Sequence, residues 1–159
     1  MTTRHIQVNV VHPHEGLIEV DADIAPLLQL LWLAGVNTIM SCQDTSGHDV
    51  SERTGWVWIE FDTVKSLNRF LNIVVAGLAD TDTGRELRSR MTDNTPLRNS
   101  NNWTHWVAVI DLSIEEPACY DTPILVSINT RFPRSDYPAV LAAVEATAGS
   151  RPSSETGTT

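Results

Sequence analysis

The stretch Gly55-Trp56-Val57-Trp58-Ile59-Glu60-Phe61 decides the fold, because it alternates strictly and a helical pattern follows it at once. Aliphatic and phenylalanine side chains share one face of this predicted strand, while two tryptophans and Glu60 share the other. Asp62 or Thr63 then caps a helix. The core face of that helix repeats at helical spacing through Leu67, Phe70, Leu71, Val74 and Leu78. This is the most clearly defined helix of the sequence.

Toward the N-terminus, residues 5–11 and 17–20 alternate as two strands of a β-hairpin, and the histidines of its turn are interpreted as surface residues. Asp23 is the predicted cap of a short helix, with Pro26 in its first turn and Gly35 at its end. That helix is apolar all round except for Gln29. We therefore expect burial on more than one side, by the fold itself or by a second subunit.

Residues 37–41 read as a buried strand, and a polar loop continues to residue 54. Further on, residues 80–102 form a polar connection with one or two helical turns at 85–91, where clustered arginines are expected on a solvated face. Strands follow at 103–112 and 124–132, and a last helix spans 135–148.

The resulting order, β-β-α-β-β-α-β-β-α, predicts one α+β domain over residues 1–148, with a mainly antiparallel sheet and the helices packed on one face. Gly, Ser, Thr and Pro dominate from residue 149 onward, which predicts a disordered tail over 149–159.

Composition restricts the class of function. The 159-residue chain carries a formal charge of −9, so nucleic acid is not expected as a partner, and neither is an anionic membrane. No apolar run approaches the ~20 residues that span a bilayer. With two cysteines only, the chain is expected to be cytoplasmic and both thiols reduced.

Polar side chains gather where the apolar run Thr38–Met40 ends at Ser41 and Cys42. A functional site typically has such groups at a strand end, here hydroxyl, thiol, amide, carboxylate and imidazole groups. We therefore predict a pocket walled by residues 42–54 and by neighbouring strands. Its candidate ligand-binding residues are Cys42, Gln43, Asp44, His48, Trp58, Glu60 and His105.

Two catalytic alternatives involve Cys42. It could be a nucleophile, with His48 or His105 as base and Asp44 or Asp49 orienting the imidazole. It could instead bind zinc together with His48, helped by His12, His14 or His105. Neither a Cys-x-x-Cys pair nor a helix N-terminus supports these roles, so Cys42 is interpreted as a small buried side chain and no metal or cofactor is predicted. Aromatic stacking on a planar ligand is the further option for Trp56, Trp58 and Trp103.

Parts of the chain resemble small uncharacterised α/β proteins of actinobacteria and their phages, in which a Leu-Trp-x-x-Gly helix precedes a strand ending in Ser-Cys-Gln. The residues that carry this resemblance are Val20-Asp21, Ile24–Leu28, Leu31-Trp32, Gly35, Thr38, Ser41–Gln43, Trp56–Phe61 and Arg131–Pro133. The chain departs from those proteins at Asp44, where a glycine often stands. The resemblance implies an origin and carries no activity.

Three functional hypotheses follow. The first is a noncatalytic phage or actinobacterial accessory protein that binds a small ligand or a protein partner. The second is a small hydrolase using Cys42 or a His/Cys/Asp metal site. The third is a homo-oligomeric structural or interaction protein whose interface is the apolar first helix.

Overall fold

A computed structural model describes residues 6–43, 55–77, 80–92, 106–114 and 124–149. Of the tail predicted as disordered, 149–159, the structure describes only Gly149, which ends a helix; residues 150–159 lie outside this part of the chain. The helices and strands are β1 Gln7–His12, β2 Gly16–Asp21, α1 Ala25–Leu33, β3 Thr38–Gln43, β4 Trp56–Phe61, α2 Val64–Gly77, α3 Asp82–Thr92, β5 Val107–Ile114, β6 Ile124–Pro133, a 3₁₀ turn Arg134–Asp136 and α4 Tyr137–Gly149.

The strands form two separate antiparallel sheets. β1 and β2 make the predicted hairpin, with a two-stranded sheet of its own, and the other strands form a four-stranded sheet in the order β3-β4-β6-β5. The predicted α+β class with antiparallel pairing is thereby confirmed. The predicted element order differs in one place, because α3 is a full helix where only one or two turns were expected.

The core lies between the four-stranded sheet and the helices. Val57, Ile59 and Phe61 are buried along one face of β4, as their alternation predicts. α2 packs against β4 and β6 and also against α4. Its buried side chains are Ser66, Leu67, Phe70, Ile73 and Val74.

The predicted helix boundaries are correct where local chemistry sets them. Thr63 caps α2, since its hydroxyl oxygen accepts the Ser66 backbone N–H at 3.1 Å. Gly35 ends α1 with a φ of 73°, a conformation that costs glycine little. Asp23, however, does not cap α1: Ile24 takes that position without a side-chain bond. Asp23 instead pairs with Arg134 at 3.3 Å.

Asp136 is the centre of a buried polar network that the sequence did not reveal. Its carboxylate, 3 % exposed, accepts two hydrogen bonds from Arg90 at 2.7 and 3.2 Å and one from the Trp106 indole at 2.9 Å. Arg90 is therefore not on a purely solvated arginine face, as the sequence suggested. Trp106 also stacks on Phe132, 4.7 Å away between ring centroids. This network joins α3, β5 and the start of α4.

Candidate functional site

Part of the sequence-predicted site lies on adjacent strands. In the register between β3 and β4, Cys42 stands opposite Trp58, Met40 opposite Glu60, and Gln43 opposite Val57. Asp44, His48 and His105 lie outside the described residues, as does the loop expected to wall the pocket. The predicted convergence of these residues stays a prediction.

The sheet face that carries Trp58 and Glu60 is turned away from α2. On β6, Arg131 pairs with Trp58 and Asn129 with Glu60, which extends this face with a guanidinium and a carboxamide. The buried Asn129 amide donates to Ser127 at 3.3 Å and to Asp111 at 3.5 Å. The Trp58 indole Nε1 is buried and has no hydrogen-bond partner among the described residues. A buried donor of this kind calls for a physical explanation.

A groove of about 330 Å³ lies elsewhere, between the β1–β2 hairpin and α1. Val11 and Pro13 form the hairpin side, and Gln29, Trp32 and Leu33 form the helix side. Val11 is 70 % exposed and Leu33 64 % exposed. The apolar first helix is therefore not covered on all sides by the fold, and its uncovered side helps to form an open, mainly apolar concavity.

Trp32 is held firmly at the groove. Its indole N–H donates to the Thr38 hydroxyl at 3.0 Å, and its ring meets His12 edge to face, with the centroids 4.7 Å apart. The chain supports it from both sides, since Thr38 begins β3 and His12 ends β1. The groove therefore has a rigid aromatic wall.

His12 lies behind this wall and is buried, which corrects its interpretation as a surface residue, whereas His14 is exposed as predicted. Its Nδ1 accepts the backbone N–H groups of His14 at 3.3 Å and Glu15 at 3.1 Å. These two bonds fix the turn of the hairpin. Its other ring nitrogen, Nε2, is buried and finds no hydrogen-bond partner in the described part of the chain.

A second, narrower cavity of about 160 Å³ separates the hairpin from the main sheet. β2 faces β3 across it, and Trp32 and Thr38 are again among its lining residues. Since the two sheets are separate, the hairpin is attached through α1, Trp32 and His12 and not through a shared strand ladder.

In the described part of the chain, no three histidine, cysteine or acidic side chains come together as a metal site. Within the same residues, none of the helices has the length and apolar character needed to cross a membrane.

Sequence reasoning missed the groove because it treated α1 as evenly apolar. The signal was present: Pro26, Gln29 and Leu33 recur at helical spacing, and all three are exposed. Their partner on the hairpin, Val11, carries no comparable signal, since an exposed valine in an edge hairpin is ordinary.

Among known proteins, this chain is similar to an uncharacterised protein of Acanthamoeba polyphaga mimivirus, with 28% identity over 133 residues. The match covers 82% of this chain and 63% of the viral protein, so the chain spans less than two thirds of its relative. No protein-family model matches the chain, and no solved structure matches it. The viral relative is itself uncharacterised, so the similarity assigns no activity.

Proposed function

We propose that this chain is a noncatalytic accessory protein of a phage or actinobacterium that binds a small ligand. We place the ligand in the groove between the β1–β2 hairpin and α1. The observation that carries this proposal is the groove itself, whose open, mainly apolar concavity has a fixed tryptophan as one wall. The similarity to a viral protein supports a viral setting for such a role.

The groove defines a class of ligand. Small-molecule sites typically enclose about 300–1,000 Å³, are mostly apolar, and contain a few polar groups that orient the ligand. At about 330 Å³ this groove suits a flat molecule of one or two rings. Val11, Pro13 and Leu33 provide apolar contact, the Trp32 ring provides an aromatic wall, and Gln29 is the polar group available at the rim.

The proposal is tested with 2-naphthol, a flat apolar molecule with one hydroxyl group. Titrating it into ¹⁵N-labelled protein should shift the indole N–H signal of Trp32, because an aromatic ring placed against the small exposed part of that side chain changes its magnetic environment. The Leu33→Lys variant should weaken the effect by roughly tenfold through lost apolar contact and an added charge. Leu112→Lys, an equally exposed change on β5, is the matched control and should leave it unaltered.

The same titration separates the groove from the sequence-predicted site. Shifts confined to Trp58 would favour the sheet face that carries Trp58 and Glu60. The buried Trp58 Nε1, which has no partner within the described ranges, is the specific observation that supports a second binding site there. No shift at either indole, or a shift at Trp32 that Leu33→Lys leaves unchanged, would contradict binding in the groove.

A further inference from the structure

The edge of the main sheet at β5 is a surface that the proposed ligand groove does not involve. In the order β3-β4-β6-β5, β5 pairs with β6 on one side and has no neighbouring strand on the other among the described residues. The pairing with β6 runs from Val107 to Ile114 without a register shift. The edge is therefore straight, about 26 Å long, and carries a row of backbone groups.

One hydrogen bond shows which backbone groups of β5 point toward β6 and which point to the outer edge. The Thr130 hydroxyl of β6 donates to the Val107 carbonyl at 3.0 Å, so the Val107 carbonyl points toward β6. Because direction alternates along an antiparallel strand, the backbone groups of Ala108, Ile110 and Leu112 point to the outer edge. These groups are placed to form a ladder with another strand.

Apolar side chains beside this edge are exposed. Ile110 is 56 % exposed, Leu112 is 70 % exposed, and Val126, the cross-strand partner of Leu112, is 53 % exposed. All three lie on the sheet face that continues from the buried Ile128, beyond the cover of α2. The β5 sequence, Val-Ala-Val-Ile-Asp-Leu-Ser-Ile, contains neither lysine nor proline, the residues that usually protect an edge strand.

The other face of the sheet, opposite to these apolar side chains, carries two charged residues that favour a second copy of this chain as the partner. Arg131 and Asp111 are both exposed and stand on neighbouring strands, with Arg131 opposite Val107. We propose that β5 pairs antiparallel with β5 of a second copy of this chain, with Val109 on the two-fold axis. In this register Asp111 of the second copy lies opposite Val107. Because Val107 also pairs with Arg131, the Asp111 carboxylate and the Arg131 guanidinium lie in one row across the strands. The two-fold symmetry creates the same pair a second time.

Other registers are less favourable. Placing Asp111 on the axis would bring two carboxylates face to face, which is destabilising between opposed strands. With Val109 on the axis, Ile110 meets Ala108 of the second copy, and Leu112 meets Trp106, so the exposed apolar side chains become covered. An eight-residue edge with this small patch buries less than a standard interface of about 1,600 Å², so the dimer is weak and reversible.

Sedimentation velocity over a wide range of protein concentration tests the dimer. The unaltered chain should change from monomer to dimer as concentration rises. Leu112→Lys should abolish the dimer, since two added charges would meet the apolar patch. Leu33→Lys, a change of similar exposure at the ligand groove, should leave the dimer intact. A chain that stays monomeric, a dimer that survives Leu112→Lys, or one that Leu33→Lys disrupts would overturn the proposal.

Charge exchange tests the register. Asp111→Arg and Arg131→Asp should each weaken association by roughly tenfold, because each places like charges in one row. The double variant should recover most of the loss. Circular dichroism on every variant confirms that the fold is kept, which exposed positions should allow. If the double variant associates no better than the single ones, the Val109-centred register is wrong.

Discussion

Asp136 and His12 are both buried polar residues, but they are satisfied to different degrees. Three hydrogen bonds from two side chains reach the Asp136 carboxylate, which joins α3, β5 and α4. Within the described residues, His12 is bonded at Nδ1 alone, by backbone groups two and three residues away, and its Nε2 has no partner there. The first arrangement connects distant parts of the chain, whereas the second organises a local turn. Stability should therefore be concentrated at the Asp136 end and lower at the hairpin, where the ligand groove lies.

Replacing Asp136 tests this comparison with the largest expected effect. Asp136→Asn removes the charge opposite Arg90 and should lower the free energy of unfolding by about 3 kcal/mol, as when one partner of a buried pair is lost. Urea denaturation measures it. Asp82→Asn removes an aspartate from an exposed pair with Arg85 and should cost less than about 1 kcal/mol. Equal losses of unfolding free energy in the two variants would show that the Asp136 network stabilises the fold no more than an exposed ion pair does.

Gly77 tests how tightly α2 packs against α4, the helix that follows Asp136. A Cβ added there would lie 2.5 Å from the Ala143 carbonyl oxygen, so Gly77→Ala must separate α2 from α4 and should cost about 2 kcal/mol. Gly149→Ala is the matched control, since nothing lies within 4 Å of its added Cβ. Thermal unfolding should distinguish the two, and unchanged stability of Gly77→Ala would show that the helices can move apart at little cost.

The His12→Phe variant examines the weaker side of the comparison. It removes the acceptor for two turn N–H groups and also removes the unpartnered nitrogen, so its net cost should be about 1 kcal/mol or less. Hydrogen exchange should become faster in β1 and β2 and stay unchanged in β5 and β6. Faster exchange throughout the chain would mean that the hairpin and the main sheet unfold as one unit.

Asp62 gives the smallest effect, at an exposed position between β4 and α2. Burial raises the pKa of its carboxyl, but hydrogen bonds from Ser66, Asn37 and Thr63 together lower this pKa below its ordinary value. The carboxylate therefore stabilises the fold above the unfolded pKa of about 3.9, and the contribution is lost as pH falls through the folded pKa. Asp62→Asn should therefore lower the free energy of unfolding slightly at neutral pH, and its difference from the unaltered chain should disappear as pH falls through the folded pKa. A loss of equal size at neutral pH and below the folded pKa would contradict this.

The sequence predicted what depends on neighbours along the chain. Alternation set the buried face of β4, and Thr63 and Gly35 marked helix ends, because these signals act within a few residues. It underestimated α3, where the apolar stripe is short and only Leu87 and Gly84 are buried. It missed the pairing of Arg90 with Asp136 and of Asp23 with Arg134, since residues far apart in the chain leave no periodic trace.

The candidate site was predicted only in part for the same reason. A strand that ends in polar side chains indicated Cys42 and Trp58, and these do stand opposite each other on β3 and β4. The groove depends on how α1 sits against a hairpin that shares no ladder with the main sheet. Such a rigid-body placement follows from tertiary packing, which periodicity does not encode.

The position of β6 between β4 and β5 has a consequence for how the chain folds during synthesis. The centre of the sheet is the pairing of Trp56–Phe61 in β4 with Ile128–Pro133 in β6. Because β4 leaves the ribosome long before β6, this pairing cannot form until the end of synthesis. The β1–β2 hairpin and the β3–β4 pair can form early from neighbouring residues, but the four-stranded sheet requires the last strand. Such non-local pairing slows folding and leaves a newly made β4 edge open to wrong partners until the chain is complete.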